Sequence, residues 1–179
     1  MRTTPPHRIA IIGATGSGKS TLAGYLATTL GQSHVELDAL FWGRNWTKVD
    51  PEVFLAETKA ALQPDRWVVD GNYTAVREFV WAEADTLVWM NYPLWIVLKQ
   101  LFARTIRRTI RKEVLWNGNV EDWREHFLSK ESFFFYAIRH TYRFRRTYRA
   151  VFQDPRYAHI RRIELRSPAE TRSWLAGLK

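Results

Sequence analysis

The sequence predicts an α/β fold built on a parallel sheet, and three observations lead to this fold class. The chain has 179 residues, a length that suits one domain. Short apolar stretches alternate with longer amphipathic ones, which is the pattern of strands joined by crossover helices. A glycine-rich turn joins the first apolar stretch to the first amphipathic one. We therefore expect a single domain over residues 1–179, a three-layer sandwich with helices on both faces of the sheet.

Five apolar stretches are predicted to form the strands. Each is short and ends at a turn signal or a polar residue. They cover residues 8–12, 34–37, 67–70, 86–90 and 159–165. Because strands and helices alternate along the chain, we expect all five strands to run parallel.

Helix boundaries follow from capping signals. A helix over residues 19–30 is stopped by Gly31. Asp50 and Pro51 supply a cap and a first-turn proline for the next helix, which reaches about residue 62. Further helices are predicted over residues 74–84, 93–112 and 133–152, and the last one begins at a capping box over residues 167–170.

Several protein classes are excluded by the composition. The chain has no cysteine, which rules out disulfide frameworks, cysteine zinc sites and thiol catalysis. Its 46% hydrophobic and 15% aromatic residues are not a disordered composition. The most apolar long stretch, residues 86–103, is interrupted by Asn91, Pro93 and Lys99, which argues against a membrane span. We expect a cytoplasmic protein with no membrane partner, and its oligomeric state is left open.

Charge is distributed unevenly along the chain, whose net charge is +9. Residues 1–98 carry 8 basic and 10 acidic side chains, whereas residues 99–179 carry 19 basic and 8 acidic ones. Most of the excess is arginine, which binds phosphate through two parallel hydrogen bonds. The second half is therefore predicted to meet a polyanion: a nucleotide, a nucleic acid or an anionic membrane.

The turn after the first strand fits the phosphate-binding pattern G-x-x-x-x-G-K-[ST]. Glycines in such a loop let backbone N–H groups turn inward toward phosphate oxygens, and the following helix adds its positive dipole end. The lysine is expected to reach the β- and γ-phosphates, and the serine hydroxyl to bind Mg²⁺. The predicted phosphate loop consists of Gly13, Ala14, Thr15, Gly16, Ser17, Gly18, Lys19 and Ser20.

Polar residues end three of the predicted strands: Asp38, Asp70 and Asn91. Ligands of open parallel sheets bind at the carboxyl ends of the strands. Asp70 is predicted to hold a water on Mg²⁺, and Asp38 to accept the proton of an acceptor hydroxyl or to help place the metal. The alternative for either aspartate is a cap on the following turn.

An aromatic and cationic loop follows Asp38 and contains Trp42, Arg44 and Trp46. Beside a phosphate site, such a loop suits a ring or a phosphate of an acceptor. The alternative is a loop that its tryptophans pack on the sheet. We predict an acceptor-binding segment over residues 38–65.

A row of arginines lies in the long helix after the fourth strand. It comprises Arg104, Arg107, Arg108 and Arg111, which share one helix face. Four like charges on one face repel each other unless an anion lies among them. Two interpretations stay open, closure over a triphosphate and a solvated stripe. With the polar loop and the helix that follow, these arginines belong to a predicted helical lid region over residues 94–150.

Motifs along the chain together match a known pattern. They are residues 11–22, 37–42 with Trp46, 67–73 with Arg77, 84–93, 104–111, 115–119 with Glu121, and 139–146. Through them the chain resembles the nucleoside-monophosphate-kinase-like P-loop proteins, specifically the adenylate-kinase-related branch often labelled DNA topology modulation protein. Two features depart from that pattern: Asp-Gly-Asn-Tyr at residues 70–73 replaces the Asp-Gly-Phe-Pro-Arg of true adenylate kinases, and Asn91 stands where an aspartate is common.

The resemblance implies a P-loop NTPase fold with a five-stranded parallel core sheet and an arginine-bearing lid. It implies MgATP at residues 13–21, which adds Thr21 to the nucleotide site, and a Mg²⁺-linked aspartate at Asp70. The implied lid arginines are Arg104 and Arg108, and the implied neighbour of the adenine is Arg166. At the acceptor, Tyr73 and Arg77 are expected, Arg77 in place of the missing motif arginine.

These expectations describe a kinase that transfers the γ-phosphoryl group of MgATP to a small acceptor, a nucleoside or a nucleotide. Its predicted catalytic residues are Lys19, Asp38, Asp70, Arg104 and Arg108. The alternative is a nucleotide-dependent nucleic-acid-binding or regulatory protein that uses the basic half as a phosphate-tracking surface. Nucleic acid is the less favoured partner, because the sequence has no helix-turn-helix, zinc-finger or stacking motif.

Overall fold

The computed structural model describes residues 6–120 and 133–178, and its centre is a sheet of five parallel strands. The strands are β1 (Arg8–Gly13), β2 (Ser33–Glu36), β3 (Trp67–Asp70), β4 (Thr86–Met90) and β5 (Arg161–Leu165). Their order across the sheet is β2-β3-β1-β4-β5, and every neighbouring pair is parallel. The predicted α/β fold with a five-stranded parallel sheet is confirmed.

Helices connect the strands, and their ends agree with the capping signals in the sequence. Gly31 ends the first helix with a left-handed φ of 63°, and Asp50 and Ser167 accept cap hydrogen bonds from backbone N–H groups at 2.9 and 3.1 Å. The helices are α1 (Lys19–Leu30), α2 (Leu37–Phe41), α3 (Pro51–Ala61), α4 (Thr74–Glu83), α5 (Leu94–Arg111), α6 (Phe133–Val151) and α7 (Pro168–Ala176).

Two strand boundaries differ from the sequence prediction. Strand β2 ends at Glu36, and Asp38 lies in the first turn of α2 instead of at a strand end. The chain turns here because Leu37 packs on Gly71: a Cβ added to this glycine, whose φ is 141°, would come within 2.7 Å of Leu37 Cβ. Strand β5 begins at residue 161 and not at 159, since the two preceding residues still belong to a turn.

Two apolar cores cover the two faces of the sheet, as a three-layer arrangement requires. Side chains of β1 alternate between them, so that Ala10 and Ile12 lie in one core and Ile9 and Ile11 in the other. The first core adds buried side chains from α3, α4 and α6, and the second adds side chains from α1, α5 and α7. The two cores cover the faces of the sheet, so a ligand site can form at the carboxyl ends of the central strands β1, β3 and β4.

The predicted lid region is described in part. Helices α5 and α6 and a short 3-10 turn at Trp116–Gly118 belong to it, whereas residues 121–132 lie outside the described residues. Helices α5 and α6 contact each other. Within the described ranges, none of the helices has the length and apolar character that crossing a bilayer would require.

Candidate active site

The loop between β1 and α1 has the geometry of a phosphate cradle. Gly16 has a φ of 84°, a left-handed value that favours glycine, and a Cβ added there would approach Leu101 Cβ to 2.9 Å. The loop therefore packs directly against α5. Gly18 is the N-cap of α1 and no side chain caps this helix end, so its first backbone N–H groups point toward the loop and suit an anion.

Two side chains of this loop also fit a polyphosphate. Ser17 is fully buried, and its hydroxyl has no hydrogen-bond partner among the described residues. The Lys19 ammonium donates hydrogen bonds to the carbonyl oxygens of Gly13 at 3.0 Å and Ala14 at 3.2 Å. An orphaned buried hydroxyl and a lysine folded onto its own loop are both groups that phosphate oxygens would satisfy.

The Ser20 hydroxyl and the Asp70 carboxylate meet where a metal ion is predicted. Ser20 Oγ donates a 2.7 Å hydrogen bond to Asp70 Oδ2, and Asp70 is only 3% exposed. Hydroxyl and carboxylate oxygens are the ligand types that Mg²⁺ prefers, together with phosphate oxygens and water. No cluster of three or more histidine, cysteine, aspartate or glutamate side chains forms another metal site among the described residues. The Ser20 and Asp70 oxygens therefore fit a Mg²⁺ ion that a bound phosphate would also coordinate.

His34 is a partner of Asp70 that the sequence reasoning missed. Its Nε2 lies 2.8 Å from Asp70 Oδ1, so both carboxylate oxygens of the aspartate are engaged. The hydrogen bond with the Asp70 carboxylate, which accepts from the protonated ring, raises the pKa of the His34 imidazole. One feature of the sequence could have pointed to His34: it lies two residues before Glu36, on the same face of the second strand. In the structure this strand pairs with β3, which ends at Asp70.

The remaining residues of the Asp-Gly-Asn-Tyr motif position the phosphate loop and Asp38. Asn72 binds Gly13 with both ends of its amide: Oδ1 accepts from the Gly13 N–H at 3.2 Å, and Nδ2 donates to the Gly13 carbonyl at 2.5 Å. The Tyr73 hydroxyl donates a 2.5 Å hydrogen bond to Asp38 Oδ1. The Tyr73 ring lies against Phe41, with ring centroids 4.4 Å apart, so its direction is fixed by packing.

The charged residues predicted to be catalytic meet around Lys19. Burial lowers the pKa of the Lys19 ammonium; the negative charges of Asp38 and Asp70 act in the opposite direction, and the positive charge of Arg104 lowers it further. The carboxylates of Asp38 and Asp70 and the guanidinium of Arg104 therefore lie within electrostatic reach of the Lys19 ammonium. Such a mixed cluster suits a ligand that carries several negative charges and a metal ion.

A cleft of about 730 Å³ opens between the phosphate loop and α5. This volume lies in the range of small-molecule sites. Its walls include residues 15–21, Asp38, Arg104 and Arg108 from the sequence prediction. They also include Arg107 of the predicted arginine row, and residues that the sequence reasoning did not select, among them Tyr25, Glu36, Tyr92 and Trp116.

The arginine row on α5 divides into a part that faces the cleft and a part that does not. Arg104, Arg107 and Arg108 line the cleft, whereas Arg111 is exposed and does not. The Glu113 carboxylate lies 3.4 Å from Arg107 and 3.6 Å from Arg108. Closure over a triphosphate and a solvated stripe stay two alternative predictions for this row. The side chains of Arg139 and Arg143, which belong to the motif at residues 139–146, lie outside the described residues.

The aromatic loop after α2 is not part of the cleft wall. Trp42 and Trp46 pack edge to face with ring centroids 5.8 Å apart, and Arg44 is exposed. The backbone N–H of Trp46 donates to Asn119 Oδ1 at 3.0 Å. An acceptor role for these three residues stays a prediction.

Arg77 and Arg166 lie away from the cleft wall as well. The Arg77 guanidinium stacks on the rings of Trp81 and Tyr148, at 6.0 and 5.5 Å from their centroids, and donates to Thr74 Oγ1 at 2.9 Å. Arg166 is exposed and donates to a carboxylate oxygen of β5 at 2.9 Å. The acceptor and adenine roles expected of these two residues stay predictions.

Asn91, which stands where an aspartate is common, has a carboxylate beside it. Its Nδ2 donates a 2.7 Å hydrogen bond to Glu164 Oε1, and the other oxygen of Glu164 accepts from Arg166. The hydrogen bond from Arg166 is the main cause of the lowered pKa of the Glu164 carboxyl, and the hydrogen bond from Asn91 also lowers this pKa. A negative charge is therefore present next to the Asn91 position, although Glu164 is not among the residues that line the cleft.

Comparisons with known proteins agree with this arrangement at the level of the fold. No family model and no curated protein matches the chain. A gluconokinase from Sinorhizobium meliloti 1021 matches with a TM-score of 0.54 and 19% identity, over 98% of this chain and 93% of that one. A shikimate kinase from Bacteroides thetaiotaomicron matches with a TM-score of 0.58 and 18% identity, over 97% and 96% of the two chains.

A further match is a shikimate kinase from Acinetobacter baumannii in complex with shikimate, with a TM-score of 0.53 and 18% identity over 94% of this chain and 90% of that one. Likenesses at this level of identity show a shared fold. The chain therefore has the fold of P-loop small-molecule kinases, and the resemblance to the adenylate-kinase-related branch stays a prediction.

Proposed function

We propose that this protein is a kinase that transfers the γ-phosphoryl group of ATP to a small acceptor, with nucleosides and nucleotides as the first acceptor class to test. The observation that carries the proposal is that Lys19, Asp38 and Arg104 line one cleft of about 730 Å³ beside the phosphate loop, with Asp70 behind it hydrogen-bonded to Ser20 of that loop. The fold shared with P-loop kinases supports it.

The nucleotide phosphates lie along residues 13–21 in this proposal. Backbone N–H groups of the loop and of the first turn of α1 bind the phosphate oxygens. Lys19 exchanges its two loop carbonyls for β- and γ-phosphate oxygens. Ser20 and Asp70 would hold Mg²⁺, which would neutralise the charge that develops on the phosphates.

The transfer itself uses Asp38 and the arginines of α5. An acceptor hydroxyl forms a bond to the γ-phosphorus while the bond from that phosphorus to the bridging oxygen breaks, and ADP leaves. The hydroxyl proton passes to the Asp38 carboxylate, which the Tyr73 hydroxyl holds in place. Arg104 and Arg108 stabilise the charge on the transferring group.

The acceptor is identified by screening ligands for stabilisation of the native state. Ligands that bind the folded chain raise its melting temperature. The panel contains nucleosides and nucleoside monophosphates with MgATP or MgGTP, and includes gluconate and shikimate because the similar structures are kinases named for these compounds. Hits are then tested for ATP-dependent phosphorylation by mass spectrometry.

The site is tested with Lys19→Ala, and Lys99→Ala serves as the matched control because Lys99 is exposed on α5. We expect Lys19→Ala to abolish phosphoryl transfer while its circular dichroism spectrum and gel-filtration volume stay those of the wild type. Lys99→Ala should keep full activity. Transfer that persists in Lys19→Ala would contradict the assignment of the phosphate loop.

A further inference from the structure

Two loops that are far apart in the sequence have the same backbone conformation. They are the acceptor-side loop (residues 42–48) and the lid-side loop (residues 114–120), each closed by an antiparallel bridge between its first and last residues. Each contains a 3-10 turn and an asparagine with positive φ, Asn45 at 54° and Asn117 at 56°. In both, the N–H of the second residue donates to the carbonyl of the sixth, at 2.8 and 2.7 Å. Their sequences agree only at the asparagine.

The two loops dock on each other through side chains of the lid-side loop. Asn119 Oδ1 accepts from the Trp46 N–H at 3.0 Å, and Asn119 Nδ2 donates to the Gly43 carbonyl at 2.9 Å. Asn117 Nδ2 donates to the Trp42 carbonyl at 2.6 Å. Asn119 is 4% exposed, so its amide is removed from water with both ends satisfied. We call the two docked loops the latch.

Trp116 connects the latch to the wall of the cleft. Its Nε1–H donates a 2.7 Å hydrogen bond to Glu36 Oε2, and both side chains line the cleft. Glu36 ends β2 and stands two residues before Asp38. The Trp116 ring also lies edge to face with Trp46, with ring centroids 6.5 Å apart. One indole therefore joins the lid-side loop to the end of β2 and to the acceptor-side loop.

Glu113 joins the latch to α5. Its carboxylate lies near the guanidinium groups of Arg107 and Arg108, and its N–H donates to the Arg108 carbonyl at 3.1 Å. The following residue begins the lid-side loop. The C-terminal end of α5 is thus held by a loop that is itself held by the segment after β2.

We propose that the latch closes the cleft by fixing α5 to the segment after β2, and that Asn119 and Trp116 are positioning residues for phosphoryl transfer. The inference rests on the proposed kinase function and deepens it. In the closed latch, Arg104 and Arg108 stay beside the phosphate loop on the cleft wall. The bonds between the loops are neutral amide contacts, which exchange with water at small net cost, so the latch can open to admit the acceptor and close over it.

The first test measures the latch without any substrate. Asn119→Ala removes both hydrogen bonds that the Asn119 side-chain amide makes to the acceptor-side loop. Trp116→Phe removes the indole N–H donor but keeps an aromatic ring. Lys48→Gln is the matched control, because Lys48 is exposed on the acceptor-side loop. By hydrogen–deuterium exchange we expect faster exchange in residues 42–48 and 104–111 of both latch variants and unchanged exchange in the control. Circular dichroism verifies that each variant is folded.

The second test measures positioning. We expect Asn119→Ala to lower kcat by about 10- to 100-fold, since small displacements of catalytic groups have effects of this size. The Kd for ATP, measured by calorimetry, should not change, and the ratio of ATP hydrolysis to acceptor phosphorylation should rise. Trp116→Phe should lower kcat and raise the same ratio by smaller factors, again with an unchanged Kd for ATP.

Two results would overturn the proposal without contradicting the kinase function, and a third would remove the kinase function together with the positioning role. Unchanged exchange in residues 42–48 and 104–111 of Asn119→Ala would show that the loops are not latched in solution. Faster exchange with an unchanged kcat would leave the kinase intact and remove the positioning role. If the wild type phosphorylates no acceptor, the kinase function and the positioning role fail together, while the exchange of residues 104–111 still decides whether the latch holds α5.

Discussion

The Ser20 hydroxyl and the Asp70 carboxylate are joined by a 2.7 Å hydrogen bond at the N-terminal end of α1, between residues that are fifty positions apart in the chain. The bond aligns the two oxygen ligands that we assign to Mg²⁺ before any nucleotide arrives. Binding of the metal then requires little rearrangement of the protein, which is the condition for a preorganised site.

We expect Asp70→Asn to weaken the Mg²⁺ dependence of nucleotide binding, because an amide cannot supply the negative charge that the metal needs. The Kd of ATP should rise by about 10- to 100-fold at saturating Mg²⁺ and be nearly unchanged in EDTA, as measured by calorimetry. Asp65→Asn is the control, since the Asp65 side chain is 96% exposed. An equal loss of affinity with and without Mg²⁺ would argue that Asp70 acts on the fold and not on the metal.

Arg104→Ala is expected to slow turnover far more than it weakens ATP binding, because the arginine acts on charge that develops during transfer. A well-placed arginine of this type accelerates phosphoryl transfer by about 10³- to 10⁵-fold. Steady-state kinetics give kcat, and calorimetry gives the Kd of ATP. Arg111→Ala, on the same helix but outside the cleft wall, should leave both unchanged. A kcat that survives in Arg104→Ala would favour the solvated-stripe interpretation.

Asn91→Asp is expected to destabilise the protein at neutral pH, since it places a second carboxylate 2.7 Å from Glu164 Oε1. The pKa of Glu164 is lowered in the folded chain, mainly by Arg166. Such a group stabilises the native state above its unfolded-state pKa, and this contribution is lost as the pH falls through the folded-state pKa. The variant should lose about 1–3 kcal/mol at pH 7, and its deficit should shrink below about pH 4 as one carboxyl is protonated.

Urea unfolding at several pH values measures this deficit. The double variant N91D/E164Q, which exchanges the amide and the carboxylate, should recover most of the stability at pH 7. Asn91→Ala serves as the control, because it removes the hydrogen bond without adding a charge, and its deficit should depend much less on pH. A deficit of Asn91→Asp that stays constant from pH 7 to pH 4 would contradict the charge repulsion.

Arg77→Ala is expected to lower stability by about 1–2 kcal/mol, because the guanidinium stacks on the rings of Trp81 and Tyr148 between α4 and α6. Urea unfolding measures the effect, and exposed Arg66 provides the control substitution to alanine. The KM of the acceptor is measured on the same variant. A raised KM with unchanged stability would support instead the acceptor role that the resemblance implies for Arg77.

Local features of the fold followed from the sequence because neighbouring residues determine them. The phosphate loop, the stop at Gly31 and the caps at Asp50 and Ser167 depend on the backbone freedom of glycine or on side chains that bond two or three residues further on. The strand alternation indicated the parallel sheet and the place of Asp70 at the end of β3, whereas Asp38, also expected at a strand end, lies in α2. Helical spacing put Arg104, Arg107, Arg108 and Arg111 on one face of α5, and the first three of them line the cleft.

Contacts between distant segments could not be predicted in this way. Asn72 and Gly13 are 59 residues apart, Trp46 and Asn119 are 73 apart, and Trp116 and Glu36 are 80 apart. No local preference selects these pairs, because they form only after the sheet and the two loops have packed. The contact of Arg77 on α4 with the Tyr148 ring on α6 is of the same kind, and the acceptor role that the resemblance implies for Arg77 stays a prediction.

The order of apolar stretches, glycines and caps in the sequence by itself determined the sheet, the phosphate loop and the charge types around it, since each depends on residues within a few positions. The tertiary structure alone decided which side chains share the cleft and that two loops of unlike sequence dock as a pair. The physical reason is that docking depends on backbone shape and on buried amide partners brought together by packing, and neither is encoded in any short stretch of the chain.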